Sequence, residues 1–174
     1  MKVLITGIAG SGKTTIISEL KKSGYSAIDL DGSGVCTWIN KKSGKEAVYK
    51  EGAGREWIEE HRWQVVTPRL IDLLKTYSDN EHVFIGGKIA RIQVKEIYEI
   101  FDIVYLLKPD DSVIDNRLSS RTSNISNFAK KESERLAIIK NRHEFEKACL
   151  EAGAILVNNN GTIKDVISQV ISGI

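Results

Sequence analysis

The chain has 174 residues, 41% hydrophobic and 28% charged, with a net charge of +2. That length suits a single domain with its own core, and so balanced a charge gives no broad surface for nucleic acid. No charge-free apolar run is long enough to cross a membrane.

Met1-Lys2-Val3-Leu4-Ile5 runs straight into a glycine-rich loop, without a leader pattern, so a cytoplasmic protein is expected. Cys36 and Cys149 stand far apart in no metal-ligand spacing and read as reduced thiols.

Val3–Ile5 is a short apolar run and predicts the first strand. Gly7-Ile8-Ala9-Gly10-Ser11-Gly12-Lys13-Thr14 follows and fits G-x-x-x-x-G-K-[ST]. A helix pattern from Thr14 to Lys22 comes next, with Ile16, Ile17 and Leu20 on one face. Strand, glycine loop and helix start are what a phosphate-binding loop needs: inward N–H groups and a positive helix end. Residues Gly7 to Thr15 are therefore candidates to hold a nucleoside triphosphate, with Lys13 on the outer phosphates and the Thr14 hydroxyl on Mg²⁺.

Ser26–Ile28 predicts a second strand, ending at Asp29-Leu30-Asp31. An insertion begins at Ser33, and its first part is rich in Gly, Ser and Lys. Trp57 and Ile58 then predict a helix, and Thr67-Pro68 starts another carrying Leu70, Ile71 and Leu74. His82–Ile85 predicts the third strand, followed by Gly86-Gly87-Lys88, Arg91 and a helix with Val94, Ile97 and Tyr98. Ile103–Leu107 predicts the fourth strand. Asp110 or Asp111 caps the next helix, on which Arg117 and Arg121 share a face at i,i+4 spacing. A second insertion over 121–131 leads to a long helix from about Lys131 to Ala152. Ile155–Val157 predicts the fifth strand, then Asn158-Asn159-Asn160-Gly161, and Thr162 caps a last helix.

Strands alternating with helices predict an α/β fold, three layers around a five-stranded parallel sheet. Ligands in such folds bind beyond the carboxyl ends of the strands. That rule selects 7–14, 29–34, 86–91, 108–111 and 158–161.

These segments together resemble the P-loop small-molecule kinases: nucleoside monophosphate, shikimate and gluconate-type kinases. The resemblance implies one P-loop kinase-like domain over 1–174, with 33–66 as an acceptor-side helical insertion and 121–131 as a short lid. It implies ATP and Mg²⁺ as cofactors and transfer of the γ-phosphoryl group to a small-molecule acceptor. Asp29-Leu30-Asp31 resembles the D-x-D of shikimate kinases. This gives Asp29 to Mg²⁺ through water, and Asp31 to the acceptor hydroxyl as base. Residues i and i+2 of a strand point the same way, which would bring both carboxylates to one place. The resemblance puts Arg117 and Arg121 over the transferring phosphoryl with Lys13, and Asn158, Asn160 and Gly161 against the base of ATP. It puts Gly86, Gly87, Lys88, Arg91 and, more loosely, Arg55 at the acceptor.

The same residues have structural readings. An acid can cap the turn at Gly32-Ser33-Gly34, the basic residues can be solvated charges, and the Asn-Gly loop can be a turn and cap. Trp38, Trp57 and Trp63 read as packing for the insertion, with Trp38 also placed to stack on a ring-shaped acceptor. Asp31-Gly32-Ser33-Gly34 and Asn40-Lys41-Lys42-Ser43 echo GTPase strings, but one short stretch holds both and leaves no room for the βα units that separate them in a GTPase. A second function class stays open: a P-loop ATPase or nucleotide-binding regulator that acts on a protein partner.

Overall fold

A computed structural model of the chain describes residues 1–49, 55–120 and 132–174, the side chains of Arg55 and Ile58 excepted. In chain order the first half holds β1 (Lys2–Thr6), α1 (Lys13–Lys22), β2 (Ser26–Asp29), β3 (Cys36–Asn40), β4 (Glu46–Ala47), α2 (Arg55–Glu60), β5 (His61–Val65) and α3 (Thr67–Leu74). The second half holds β6 (Val83–Gly86), α4 (Val94–Tyr98), β7 (Ile103–Lys108), α5 (Asp111–Ser119), α6 (Glu132–Glu151), β8 (Ile155–Asn158) and α7 (Ile163–Ile171).

The five predicted strands form one sheet in the order β2-β6-β1-β7-β8, parallel throughout. Alternation along each strand sorts its side chains into two layers. Val3, Ile5, Phe84, Tyr105, Leu107 and Val157 meet Ile16, Ile17 and Leu20 of α1 and Val166 and Val170 of α7. Leu4, Val83, Ile85, Val104 and Leu106 meet α3, α4, α5 and α6 through residues such as Leu70, Ile97, Ile114 and Phe145. Covering both faces is why the strands read as continuous apolar runs.

Local chemistry sets the helix ends. Lys21 and Lys22 fall in the last turn of α1, where the carboxyl-end dipole favours cations. Thr162 caps α7 as expected, and Asp165 reciprocates in a full capping box. Helix α3 begins at Thr67 itself, with Val66 as its N-cap and Pro68 in the first turn.

The 33–66 insertion differs from the helical expectation. It carries a second sheet, three antiparallel strands in the order β4-β3-β5, and among its described residues only the short α2 is helical. The reason is a period of two. Cys36 and Trp38 on β3 lie opposite Val65 and Trp63 on β5, one face of a two-strand pair. The Asn40 carboxamide oxygen accepts from the Lys42 N–H (3.1 Å) and the Ser43 N–H (2.9 Å), so that GTPase-like string makes the β3–β4 turn.

Gln93 fastens this sheet to the main body. Its Oε1 accepts from the Val65 N–H (3.1 Å), and its Nε2 donates to the Val65 carbonyl (2.8 Å). The side chain is buried and does the work of one more strand residue. Among the described residues, no helix is long and apolar enough to cross a membrane.

Replacing Gln93 with Leu keeps the volume but leaves two buried backbone groups of Val65 unpaired. A loss of about 2–4 kcal/mol in unfolding free energy is expected in a urea titration.

Candidate active site

The carboxyl ends of the strands come level at one edge of the sheet. Ile5 of β1, Gly86 of β6 and Asp29 of β2 share one register line, and Lys108 of β7 lies beside Asn158 of β8. The loops that leave those ends carry the candidate residues.

The Gly7–Thr14 loop turns from the central strand into α1. Gly12 is the N-cap of α1 in the left-handed region (φ 96°), and no side chain caps the helix. The first turn also holds no acidic residue. The amino end of α1 is thus left to an anion. A Cβ on Gly7 would lie 2.5 Å from the Ser11 hydroxyl oxygen, so only glycine fits the tight entry. Lys13 folds back over the loop, its Nζ donating to the Gly7 and Ile8 carbonyls (2.9 Å each) and to the Ser11 hydroxyl (3.3 Å). Thr14 and Thr15 are exposed on the first turn of α1. A glycine cradle, an uncapped helix end and one ammonium inside the loop fit the phosphates of a nucleotide, and the Thr14 hydroxyl fits Mg²⁺.

Strand β2 stops at Asp29, and Leu30–Gly32 form a 3₁₀ turn. The alternation argument that aligned the two carboxylates therefore ends one residue too early. Asp29 caps this turn by accepting from the Asp31 N–H (3.1 Å), one turn earlier than the cap expected at Gly32-Ser33-Gly34. Asp31 is exposed, and its Oδ1 accepts from the Trp63 indole N–H (3.0 Å). Both carboxylates still lie near Cys36. Burial, then Asp31, then Asp29 push that thiol from 9.0 to about 12. Desolvation lowers the pKa of Lys88, while the charge of Asp31 opposes the shift. Lys88 is nonetheless exposed as a residue.

Two glycines and one arginine take other roles than expected. A Cβ on Gly86 would strike Ile17 of α1, and one on Gly87 would lie 2.8 Å from Leu30. Both glycines are buried, so they allow close packing and present no open backbone to an acceptor. Arg91 pairs with Glu144 of α6. Lys88 is therefore the cation of this segment that stands beside Asp31. Trp38 has Tyr49, Trp57 and Trp63 around its ring at 5.2–6.2 Å between centroids, so it forms the core of the insertion.

Arg117 turns toward the Gly7–Thr14 loop. Its Nη2 donates to the Asn159 carbonyl (3.1 Å) and its Nη1 to the Ser11 carbonyl (3.4 Å). Asp115, a possible surface partner for it, pairs with Arg135 instead (2.6 Å). Partial burial lowers the Arg117 pKa, and a guanidinium stays charged regardless. In the Asn-Gly loop, Asn158 accepts from the Asn160 N–H (2.9 Å), and Asn160 accepts from the Asp110 N–H (2.7 Å). Gly161 is exposed beside them, against Asp165. The sequence reading passed over Asn159. It is buried, and its Nδ2 donates to the Ser11 carbonyl (2.5 Å). Asn159 is the first residue past the end of β8, where strand alternation no longer fixes its direction. Arg121, the 121–131 stretch and the Arg55 side chain lie outside what the structure describes.

No family model matches the chain, and neither does any curated protein. Solved structures match along nearly its whole length. A shikimate kinase from Acinetobacter baumannii in complex with shikimate is 18% identical, with a TM-score of 0.62 over 98% of this chain and 90% of that one. A gluconokinase from Sinorhizobium meliloti is 15% identical, with a TM-score of 0.57 over 99% of this chain and 90% of that one. A deoxyadenosine kinase from M. mycoides with bound dATP is 17% identical, with a TM-score of 0.54 over 99% and 98%. The chain has the α/β fold of these P-loop small-molecule kinases.

The Cys36 thiol provides a check on the placement of Asp29 and Asp31. In a Cys149→Ser variant, the native protein at pH 8 should react with a thiol reagent at least tenfold more slowly than the unfolded chain. Its raised pKa favours the protonated folded state. The contribution to stability is therefore complete below pH 9.0 and is lost as pH rises toward about 12. Neutralising both acids (Asp29→Asn with Asp31→Asn) should bring the folded-state thiol back toward its ordinary range, so that the loss is smaller and ends at a lower pH, read from denaturation midpoints.

Proposed function

We propose that this chain is an ATP-dependent phosphotransferase acting on a small-molecule hydroxyl, with residues 33–66 forming one wall of the acceptor site. The observation that supports this reading is that three segments leave one edge of the sheet. The Gly7–Thr14 loop leaves β1, Lys88 follows the adjacent β6, and Asp31 follows β2 on the far side of β6. The named substrates of the fold neighbours, shikimate among them, are small molecules, which supports the same class.

In this reading Gly7–Thr14 holds the phosphates of ATP, and Thr14, with Asp29 through water, holds Mg²⁺. Mg-ATP supplies the transferable phosphoryl group, and the metal offsets charge on its oxygens. Lys13 leaves its loop carbonyls for the outer phosphates. Arg117 lies over the loop from the nucleotide side and offsets further negative charge. Asp31 accepts the proton of the acceptor hydroxyl. The Trp63 N–H holds its Oδ1 and leaves Oδ2 to face the acceptor. Lys88 stands ready for an anionic or polar group on the acceptor. The segment at Asn158, Asn160 and Gly161 lies beside the nucleotide base.

The test is ADP release from Mg-ATP with and without a panel of hydroxyl acceptors: nucleosides, nucleotides, sugar acids and cyclic polyols. Turnover should depend on one acceptor class. Lys13→Ala should abolish it, and Asp31→Asn should lower transfer at least a hundredfold with ATP affinity within about threefold. Acceptor-independent turnover that responds only to a protein partner would place the chain among P-loop ATPases or regulators. Wild-type transfer by Asp31→Asn would remove Asp31 as base.

A further inference from the structure

The buried Asn159 is held in a closed ring of contacts. Its Nδ2 donates to the Ser11 carbonyl (2.5 Å), and its own carbonyl accepts from Arg117 (3.1 Å). Arg117 reaches the same Ser11 carbonyl (3.4 Å). Helix α5, which carries Arg117, begins after Asp110, whose N–H is bound by Asn160 (2.7 Å). The residue after Ser11 is pressed against this ring: a Cβ on Gly12 would lie 2.7 Å from Asn159 Nδ2 and 3.4 Å from Arg117 Nη1.

A trans peptide holds its C=O and the following N–H in one plane, pointing opposite ways. Fixing the Ser11 carbonyl toward Asn159 therefore fixes the Gly12 N–H away from it. Two donors on that carbonyl prevent the peptide from flipping, and Gly12 in the left-handed region carries the chain on into α1. We propose that Asn159 is a positioning residue for nucleotide phosphate binding: it orients the Gly12 N–H as a phosphate donor. It also couples the loop beside the nucleotide base to the loop that holds the phosphates. The inference rests on the reading that Gly7–Thr14 holds a nucleotide.

The experiment is ADP binding by calorimetry on the full chain, together with the Gly12 amide proton shift by NMR. The set is wild type, Asn159→Leu and Lys13→Ala. Asn159→Leu keeps the size and removes the donor, and Asn159→Ser, too short to reach Ser11, replaces it if the leucine variant does not fold. In wild type, ADP should move the Gly12 amide downfield. In the Asn159 variant, ADP affinity should fall about tenfold and that downfield movement should shrink. A folded Asn159 variant with wild-type affinity and a wild-type Gly12 shift overturns the inference, while Lys13→Ala loses ADP and the nucleotide reading stands. Wild-type protein that does not bind ADP, or Lys13→Ala that binds it undiminished, overturns the nucleotide reading and the inference with it.

Discussion

The turn from β1 into α1 is the constraint on which the site depends. The chain must leave the central strand, close a small loop and start a helix whose first amides have no capping side chain. Gly7 has no space for a side chain because Ser11 fills it, and Gly12 has none because Asn159 and Arg117 fill it. A loop packed this tightly on both sides is set by its surroundings before any ligand arrives. Such preorganisation is what makes backbone N–H groups effective toward a charged ligand.

The rest of the fold serves that turn. A parallel sheet covered on both faces brings five strand ends to one edge, and the ends of β2 and β6 carry the Asp29–Asp31 turn and Lys88. Gly86 lets α1 settle onto β6, which brings the helix that begins at the phosphate loop close to the Asp29–Asp31 turn. Side-chain hydrogen bonds join the second sheet to that arrangement. Gln93 holds Val65, and Trp63 of the same strand holds Asp31. An insertion that at first looks like an appendage thereby reaches the carboxylate assigned to the acceptor.

Most of the main sheet was legible in the sequence. A run buried on both faces, such as Ile103–Lys108, leaves little choice but a central strand. The turn from β1 into α1 was legible because its glycine pattern is local. The second sheet was not legible. Its strands are short, half-buried and surrounded by Gly, Ser and Lys, and the Trp38–Trp63 pairing that stabilises them joins distant residues. The packing of Gly86 and Gly87 and the ion pair of Arg91 were not legible for a related reason. Pattern put them near an acceptor, but the contacts that occupy them, from Ile17, Leu30 and Glu144, come from elsewhere in the chain. Asn159 was missed because it follows the end of β8, where alternation no longer applies, and its two neighbours offer amides to the same loop.

The central claim is that Gly7–Thr14 is the donor half of a two-substrate site whose other half lies at Asp31 and Lys88. A crystal structure with Mg²⁺ and ADP tests it most directly. The β-phosphate should lie inside the glycine loop, with Lys13 released from the Gly7 and Ile8 carbonyls, Mg²⁺ on Thr14 and the base beside 158–161. The open side of the phosphate should face Asp31. A nucleotide bound elsewhere, or one whose terminal phosphate faces away from Asp31 and Lys88, would contradict it.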